Sequence, residues 1–262
     1  MPLVSIITPS YNSERYISHT INSILFQSFQ DWELLIIDDC STDRTTEIVN
    51  EYCIDDPRIN LISLSENSGA AVARNTGIEA ATGRFIAFLD SDDAWLPNKL
   101  EQQLKFMQAN NYSFTFTAYQ KVNNNGEVIG ELGVSKKLKY SDLLKKCEIG
   151  CLTAMYDTKV LGKIYMPLIR KRQDLGLWLK ILKKTKYAYG LNKVLATYTV
   201  RNDSISSNKR SAATYTWKLY RQVESLPFYK SLYYFSHYAI NGILRTKTPK
   251  LGEILGVIKH PD

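Results

Sequence analysis

The sequence predicts an α/β fold: a mostly parallel central sheet flanked by helices, followed by a helical C-terminal extension. Three observations carry that expectation. Four short apolar runs in the first ninety residues alternate with stretches of helical period, the pattern of strands joined by crossover helices. Each run ends in polar side chains, as strands do when their carboxyl ends face a ligand crevice. The last fifth of the chain is basic and aromatic, with no strand-like alternation.

Leu3 to Thr8 reads as the first strand and is followed by a helix with Ile17, Ile21, Ile24 and Leu25 on one face. Asn12 or Ser13 is the expected N-cap of that helix. Glu33 to Ile37 is the second strand, and Ser41-Thr42-Asp43 opens a helix running to about Tyr52. Ile59 to Leu64 is the third strand, Ala70 to Ala81 the third helix, stopped by Gly83, and Phe85 to Leu89 the fourth strand. Beyond it a helix starts near Pro97 and runs to about Asn110, and Phe114 to Tyr119 alternates like a half-buried strand. Asn123-Asn124-Asn125-Gly126 marks a turn into another strand. Ser141 to Lys146 reads as a short helix, and Gln173 to Lys184 as an amphipathic one with Leu175, Trp178, Leu179 and Leu182 on one face. Val194 to Val200 is the last strand expected.

Composition excludes several classes. The chain has 262 residues, 44% hydrophobic and 23% charged, enough for one sizeable domain or a domain with an extension. It contains no apolar run of membrane-spanning length and no basic n-region at the start, so neither a membrane span nor a secretory signal is expected. Cys40, Cys53, Cys147 and Cys151 form no Cys-x-x-Cys pair and have no His at zinc spacing, which favours reduced thiols in a cytoplasmic protein. The net charge of +7 divides unequally: residues 1–135 hold 8 Lys/Arg against 18 Asp/Glu (−10), and residues 136–262 hold 25 against 8 (+17). An acidic half suits a site that collects a cation, and a basic half suits an anionic partner.

The most informative residues are Asp90-Ser91-Asp92-Asp93, directly after the fourth apolar run. Three carboxylates so close repel one another unless they are solvated, hydrogen-bonded or neutralised. Hard oxygen ligands at this spacing suit Mg²⁺ or Mn²⁺ carrying a diphosphate; the plainer alternative is an Asp-rich turn capping the helix that starts near Pro97. The chain contains no Gly-x-Gly, so the dinucleotide fingerprint and the P-loop are both absent.

Taken together, Val4-Ser5-Ile6-Ile7-Thr8-Pro9-Ser10-Tyr11-Asn12, Ile36 to Asp43, Asn67-Ser68-Gly69 with Ala73 to Gly77, and Phe88 to Asp93 appear in an order and spacing that resembles the inverting family 2 glycosyltransferases of GT-A fold. The second half matches more loosely, through Gln173-Asp174 before Leu177-Trp178-Leu179 and through Tyr198 to Ser206. The resemblance implies a GT-A domain over residues 1–208, with a Rossmann-like nucleotide-sugar half at 1–95 and an acceptor half at 96–208, and a basic aromatic extension at 209–262.

It also implies roles. Pro9 and Tyr11 line the nucleobase pocket, with Asn67 in the same nucleotide site. Asp38 or Asp39 accepts from the uracil ring N–H, with capping of the next helix as the alternative use. Arg74 faces the diphosphate or holds the acidic cluster. Asp90 contacts the ribose or a metal-bound water, Asp92 is the direct ligand of Mn²⁺ or Mg²⁺, and Asp93 is a second ligand or a supporting residue. Asp174 is the general base, against the alternative of plain N-capping. Two residues depart from the family pattern: Gln173 replaces a frequent acid before the base, and Arg201 falls where a His is frequent. Arg201 is therefore read as a clamp on the diphosphate.

The function so implied is metal-dependent, inverting transfer of one sugar from a nucleotide-sugar donor, a UDP-hexose or UDP-N-acetylhexosamine, to a lipid-linked glycan acceptor of a surface polysaccharide such as an O-antigen or capsule. A catalytically inactive nucleotide-sugar-binding protein of the same fold is the alternative. A nucleotidyltransferase is disfavoured because Pro9-Ser10-Tyr11-Asn12 is not a Gly-rich phosphate loop. The tail, residues 209–262, holds 9 Lys/Arg against 3 Asp/Glu, interleaved with Tyr, Trp and Phe. That composition suits peripheral contact with the inner face of an anionic membrane, or a homodimer. Nucleic-acid binding is not expected, since the basic residues are scattered and no RNA-binding signature occurs.

Overall fold

The computed structural model describes residues 1–201 and 209–262. The strands are β1 (Val4–Ser10), β2 (Trp32–Asp38), β3 (Ile59–Ser63), β4 (Phe85–Phe88), β5 (Ala94–Trp95), β6 (Phe114–Val122), β7 (Val128–Leu132), β8 (Lys137–Leu138), β9 (Met155–Asp157) and β10 (Ala188–Thr199). The helices are α1 (Ile17–Leu25), α2 (Thr45–Asp55), α3 (Ala70–Ala80), α4 (Lys99–Asn110), α5 (Tyr140–Lys145), α6 (Thr158–Leu161), α7 (Gln173–Lys184), α8 (Lys209–Lys218), α9 (Phe228–Thr246) and α10 (Pro249–Ile254).

Among the described residues, the strands form one ten-stranded sheet with the path β3-β2-β1-β4-β9-β6-β10-β5, while β7 pairs with β6 and β8 with β10. β1 pairs in parallel with β2 and β4, β2 with β3, and β6 with β10. β9 runs antiparallel between β4 and β6, so those two strands point the same way. The carboxyl ends of β1, β2, β3, β4, β6 and β10 therefore open at one edge of the sheet. This is the mixed α/β architecture expected, with a parallel core and helices on both faces.

Every residue of β1 is buried, and Ile6, Leu34, Ile36, Ala87 and Leu89 pack on one face while Ile7, Ile37, Ile86 and Phe88 pack on the other. Alternation that is apolar on both sides marks a sheet covered twice. On the second face α3 lies close because of Gly77: a Cβ there would meet Ile7 Cγ2 at 2.6 Å and Ile37 Cδ1 at 2.8 Å. Glycine inside a helix costs about 1 kcal/mol relative to alanine, and here it sets the depth at which Arg74, one turn earlier, enters the site. α7 docks through Trp178, fully buried, whose ring stands edge-on to Phe88 at 5.7 Å and 5.3 Å from Phe114.

Several expectations are corrected. α1 begins at Ile17, and neither Asn12 nor Ser13 caps it through a side chain. Ser13 serves through its carbonyl, which accepts from the N–H groups of Tyr16 and Ile17 at 2.9 Å each. β10 starts six residues earlier than the hydrophobic run, at Ala188, because register shifts between Leu191 and Ala196 accommodate the polar pair Asn192-Lys193. The C-terminal helices expected are present, and the segment between α8 and α9 packs inward: Leu219 and Tyr220 are fully buried in the main core. The chain end returns to β10, where the Asp262 N–H donates to the Asn192 carbonyl at 2.9 Å. The boundary expected at residue 208, and residues 202–206 of the second-half match, lie outside the described residues. No described helix is long and apolar enough to cross a membrane, and all four cysteines are free thiols.

Candidate active site

The loops that leave β1, β2 and β3 are held to one another by side chains. Asn12, left-handed at φ 48°, accepts the Thr42 N–H on Oδ1 at 2.8 Å and donates its own N–H to Ser41 Oγ at 2.9 Å. Asp38 is almost fully buried; its two carboxylate oxygens accept the N–H of Ser41 at 2.9 Å and the hydroxyl of Ser41 at 2.5 Å. Asp39, also buried, accepts the N–H of Ser68 at 2.7 Å and of Gly69 at 2.8 Å, while Asn67 Nδ2 donates to its carbonyl at 3.1 Å. Asp39 thus fixes the loop that enters α3, and Asp38 fixes its own turn. Neither caps α2; Asp43 does that work, accepting the Thr45 N–H at 3.0 Å. Pro9 is buried on β1, and the Tyr11 ring beyond it is half exposed.

The acidic turn lies where β4 ends, closed by the Asp93 N–H donating to the Asp90 carbonyl at 3.0 Å. Its three carboxylates point to three partners. Asp90 meets Arg74 Nη2 at 2.5 Å. Asp92 meets Arg201 Nη2 at 3.0 Å, and the Arg201 guanidinium also lies over the Tyr16 ring at 4.8 Å. Asp93, 1% exposed, accepts the Thr199 N–H at 2.9 Å, and its carbonyl accepts the Thr20 hydroxyl at 2.8 Å. Ser91 joins the first loop, Oγ to Ser13 Oγ at 2.8 Å.

The charges are strongly coupled. Burial works against the Arg74 cation, but the Asp90 carboxylate above all, with Asp174 behind it, more than restores it, and the guanidinium holds its proton more tightly than usual. Burial and then Asp90 push the Asp92 carboxyl up, opposed by Arg201. Burial, Asp92 and Asp90 push Asp93 well up. Burial and mutual repulsion thus favour the neutral form of Asp92 and above all of Asp93, and a cation brought to the turn would relieve both.

Asp174 stands in the first turn of α7, four residues before Trp178 and so on the same helix face. Because Trp178 seats on Phe88, two residues before Asp90, Asp174 is carried over the carboxyl end of β4. Its charge reaches Arg74, Cys147 and Cys151. Gln173, the departure beside it, is buried and turned away from solvent. The helix start is set by Arg172, left-handed at φ 66°, whose Nη2 donates to Tyr238 Oη at 2.5 Å.

A divalent metal fits the donor set in one particular way. Among the described residues, no three His, Cys, Asp or Glu side chains converge as a ready-made cage. Asp90 and Asp92 keep side chains 30% and 22% exposed, each paired on one side with an arginine, while Asp93 lies buried beneath them. One or two carboxylates completed by substrate phosphates is how Mg²⁺-type ions bind nucleotides.

A sequence profile described as "Glycosyl transferase family 2" matches residues 5–162. The chain belongs to glycosyl transferase family 2. It is a glycosyltransferase, 50% identical over 243 residues to TuaG of Bacillus subtilis (strain 168), a protein named for teichuronic acid biosynthesis, covering 92% of this chain and 96% of that one. It is 43% identical over 242 residues to WfgD of Escherichia coli, named "UDP-Glc:alpha-D-GlcNAc-diphosphoundecaprenol beta-1,3-glucosyltransferase", covering 92% and 94%. The fold matches S. aureus TarS 1-349 in complex with UDP-GlcNAc at a TM-score of 0.72, with 22% identity over 97% of this chain and 76% of that one. It matches the mannosyltransferase PcManGT of Pyrobaculum calidifontis, in complex with GDP-Man and Mn2+, at 0.68, with 18% identity over 97% and 79%. The GT-A fold expected from the motifs is the fold of this glycosyltransferase.

All the residues singled out from the sequence lie along the carboxyl edge of the sheet or in the loops behind it. They form one group in the loops at the ends of β1 to β3 (Pro9, Tyr11, Asp38, Asp39, Asn67) and an acidic-turn group (Arg74, Asp90, Asp92, Asp93, Arg201), and the charge of Asp174 reaches Arg74 in the second. Sequence reading missed Ser13 and Tyr16, which join the first loop to the acidic turn, and Arg172 with its partner Tyr238. The first pair followed a recognisable strand end and was open to notice; Arg172 and Tyr238 are 66 residues apart and carried no local signal.

Proposed function

We propose that this glycosyltransferase transfers one sugar from a UDP-sugar, most simply UDP-glucose, to a hydroxyl of a diphosphate-lipid-linked glycan in cell-surface polysaccharide biosynthesis, with inversion and with the help of Mn²⁺ or Mg²⁺. The observation that carries this reading is the acidic turn, held from both sides by Arg74 and Arg201, with Asp174 facing it. Support for the donor and acceptor comes from the name of WfgD and from the UDP-GlcNAc bound by TarS; PcManGT, with Mn2+, supports the metal.

Each residue then has a task. Tyr11 offers an exposed ring to stack on the base, and Asp39 and Asn67 shape the loop around it. Asp90 reaches the ribose side while Arg74 holds its orientation. Asp92 holds the cation, Asp93 supports the turn from behind, and Arg201 turns from Asp92 to the diphosphate oxygens. A divalent cation held by Asp92 would neutralise charge that gathers on the leaving nucleoside diphosphate. Asp174 takes the proton of the acceptor hydroxyl as that oxygen bonds to the anomeric carbon. The bond from that carbon to the diphosphate breaks on the opposite side, and its electron pair leaves with UDP. Displacement from the far face turns an α-linked donor into a β-linked product. Such a base contributes roughly 10²–10⁴ in rate.

The aromatic face of α9 supports a peripheral position at the membrane. Tyr229, Leu232, Tyr233, Ile240 and Ile243 are all half exposed or more, and Lys230, Lys247 and Lys250 flank them.

A donor screen tests the reading. The protein is incubated with UDP-glucose, UDP-galactose, their N-acetylamino forms and a GDP-sugar, with Mn²⁺ and then with EDTA, together with a synthetic N-acetylglucosamine-diphosphate-lipid acceptor. Metal-dependent release of UDP from one donor is expected. Absence of UDP binding overturns the nucleotide site.

A further inference from the structure

We propose that Lys121, Lys146 and Arg245 form an anion subsite on the acceptor side of the crevice, built to take the diphosphate of a diphosphate-linked acceptor. This rests on the glycosyltransferase reading above and adds to it the residues that recognise the acceptor.

α9 assembles the subsite. Tyr238, Asn241 and Arg245 follow at i, i+3 and i+7 and share one helix face. Tyr238 receives the hydrogen bond from Arg172, at the entry to α7. Asn241 Nδ2 donates to the Lys145 carbonyl at 3.0 Å, next to Lys146. Arg245, one turn on, comes within charge range of Lys121, Lys146, Tyr119 and Cys147. Lys121 arrives from the sheet: it pairs with Tyr198 in the β6–β10 register, one step before Thr199, the residue bonded to Asp93. Its position is therefore the carboxyl edge of the sheet, the edge on which the acidic turn lies.

The cations are poorly balanced. Lys146 pairs with Glu148 at 3.0 Å, but Lys259 approaches the same carboxylate at 4.0 Å. Among the described residues neither Lys121 nor Arg245 has an acidic partner within ion-pair distance. Burial, and then the charge of Arg245, loosen the Lys121 proton. Like charges held in a half-buried place are unfavourable in the free protein, and a multivalent anion relieves them. The subsite is also close to the chemistry, because Cys147 feels Asp174, Arg172 and Arg245 together. An acceptor whose hydroxyl lies at Asp174 then extends its diphosphate toward these cations, and the lipid continues toward α9, whose outer face is apolar. The same phosphate chemistry occurs in anionic lipid headgroups, so the test separates the two sources.

The experiment compares the unaltered protein with Lys121→Gln/Arg245→Gln, both checked for folding by UDP affinity, which should agree within twofold. Acceptor KM is measured at saturating donor with an N-acetylglucosamine-diphosphate-lipid and with the matching alkyl glycoside lacking phosphate. The expected result is a KM at least tenfold higher for the diphosphate acceptor and little change for the alkyl glycoside. Equal effects on the two acceptors, or none, overturn the subsite. A second arm needs no transfer: binding of farnesyl diphosphate with UDP in excess should fall at least tenfold in the variant, and unchanged binding overturns the proposal. Phosphatidylglycerol vesicles form the third arm. Loss of vesicle binding with farnesyl diphosphate binding intact assigns the cations to the headgroup layer and overturns the subsite. Should the double variant fail to fold, Arg245→Gln alone, on a half-exposed residue, gives the same readouts. Lack of transfer by the unaltered protein with every donor counts against the functional reading; the farnesyl diphosphate arm still decides the subsite.

Discussion

Arg201 Nη2 and Asp92 Oδ2 meet at 3.0 Å, and this contact ties the end of β10 to the acidic turn after β4. The pairing places an always-charged guanidinium on the carboxylate assigned to the metal. When a cation and a diphosphate enter, the guanidinium has phosphate oxygens as its new partners. Arg201→Ala should therefore weaken UDP-sugar binding about tenfold or more, the scale of one charge-assisted contact, while Arg201→Lys recovers part of it. Calorimetry with UDP and Mn²⁺ measures this; an unchanged affinity in Arg201→Ala removes the clamp role.

Asp92 and Asp93 are adjacent in sequence and differ in surroundings. Asp92→Ala should abolish transfer and keep the melting temperature within a few degrees, because its carboxylate faces the crevice. Asp93→Ala leaves the part-buried Thr199 N–H without its acceptor, a loss of about 1 kcal/mol or more. Asp93→Asn keeps an acceptor there and should melt close to the unaltered protein. Thermal unfolding of the three variants, alongside turnover, checks the division; an active Asp92→Ala enzyme would sink it.

Asp174→Asn keeps the shape of the first turn of α7 and removes its basicity. Turnover should fall roughly 10²–10⁴-fold, with UDP affinity unchanged. A plain helix-capping role predicts the opposite pattern, since Asn caps nearly as well as Asp and turnover would survive.

Lys99 is fully buried, its Nζ lying 3.5 Å from the centre of the Trp95 ring with no hydrogen-bond partner among the described residues. Burial pushes its pKa well below 10.5. Between the folded and unfolded pKa the unfolded chain binds more protons at this site, so its contribution to stability rises with pH, by up to about 1.4 kcal/mol per unit. Lys99→Met should melt higher at pH 7, and its advantage should shrink as the pH approaches 10.5. Melting curves of both proteins across that range test the sign; a gain independent of pH would show that the amine is charged in the fold.

Much of the donor half was legible in the sequence. β1 to β4 emerged because strands covered on both faces are unbroken apolar runs, and the bounds of α7 emerged because one face of it is buried against Phe88 and Phe114. The acidic turn was legible because carboxylates so close after a strand demand a cation or a partner. β5 and β9 were not legible: at two and three residues they are too short to carry a period, and β9 exists because β4 and β6 leave a gap between them. The early start of β10 was hidden by Asn192 and Lys193, which a bulge absorbs.

The sequence by itself determined the order of the elements and the polar carboxyl edge with its acidic turn, since each depends on a local pattern of apolar spacing or charge. Only the tertiary structure decided which carboxylate meets which arginine, that Asp93 faces inward, and that Leu219 and Tyr220 of the C-terminal extension enter the main core. It alone brought Tyr238 to Arg172 and Arg245 to Lys121. The first is a hydrogen bond across 66 positions and the second a charge influence across 124, and only the packing of α9 against α5 brings α9 residues within such reach.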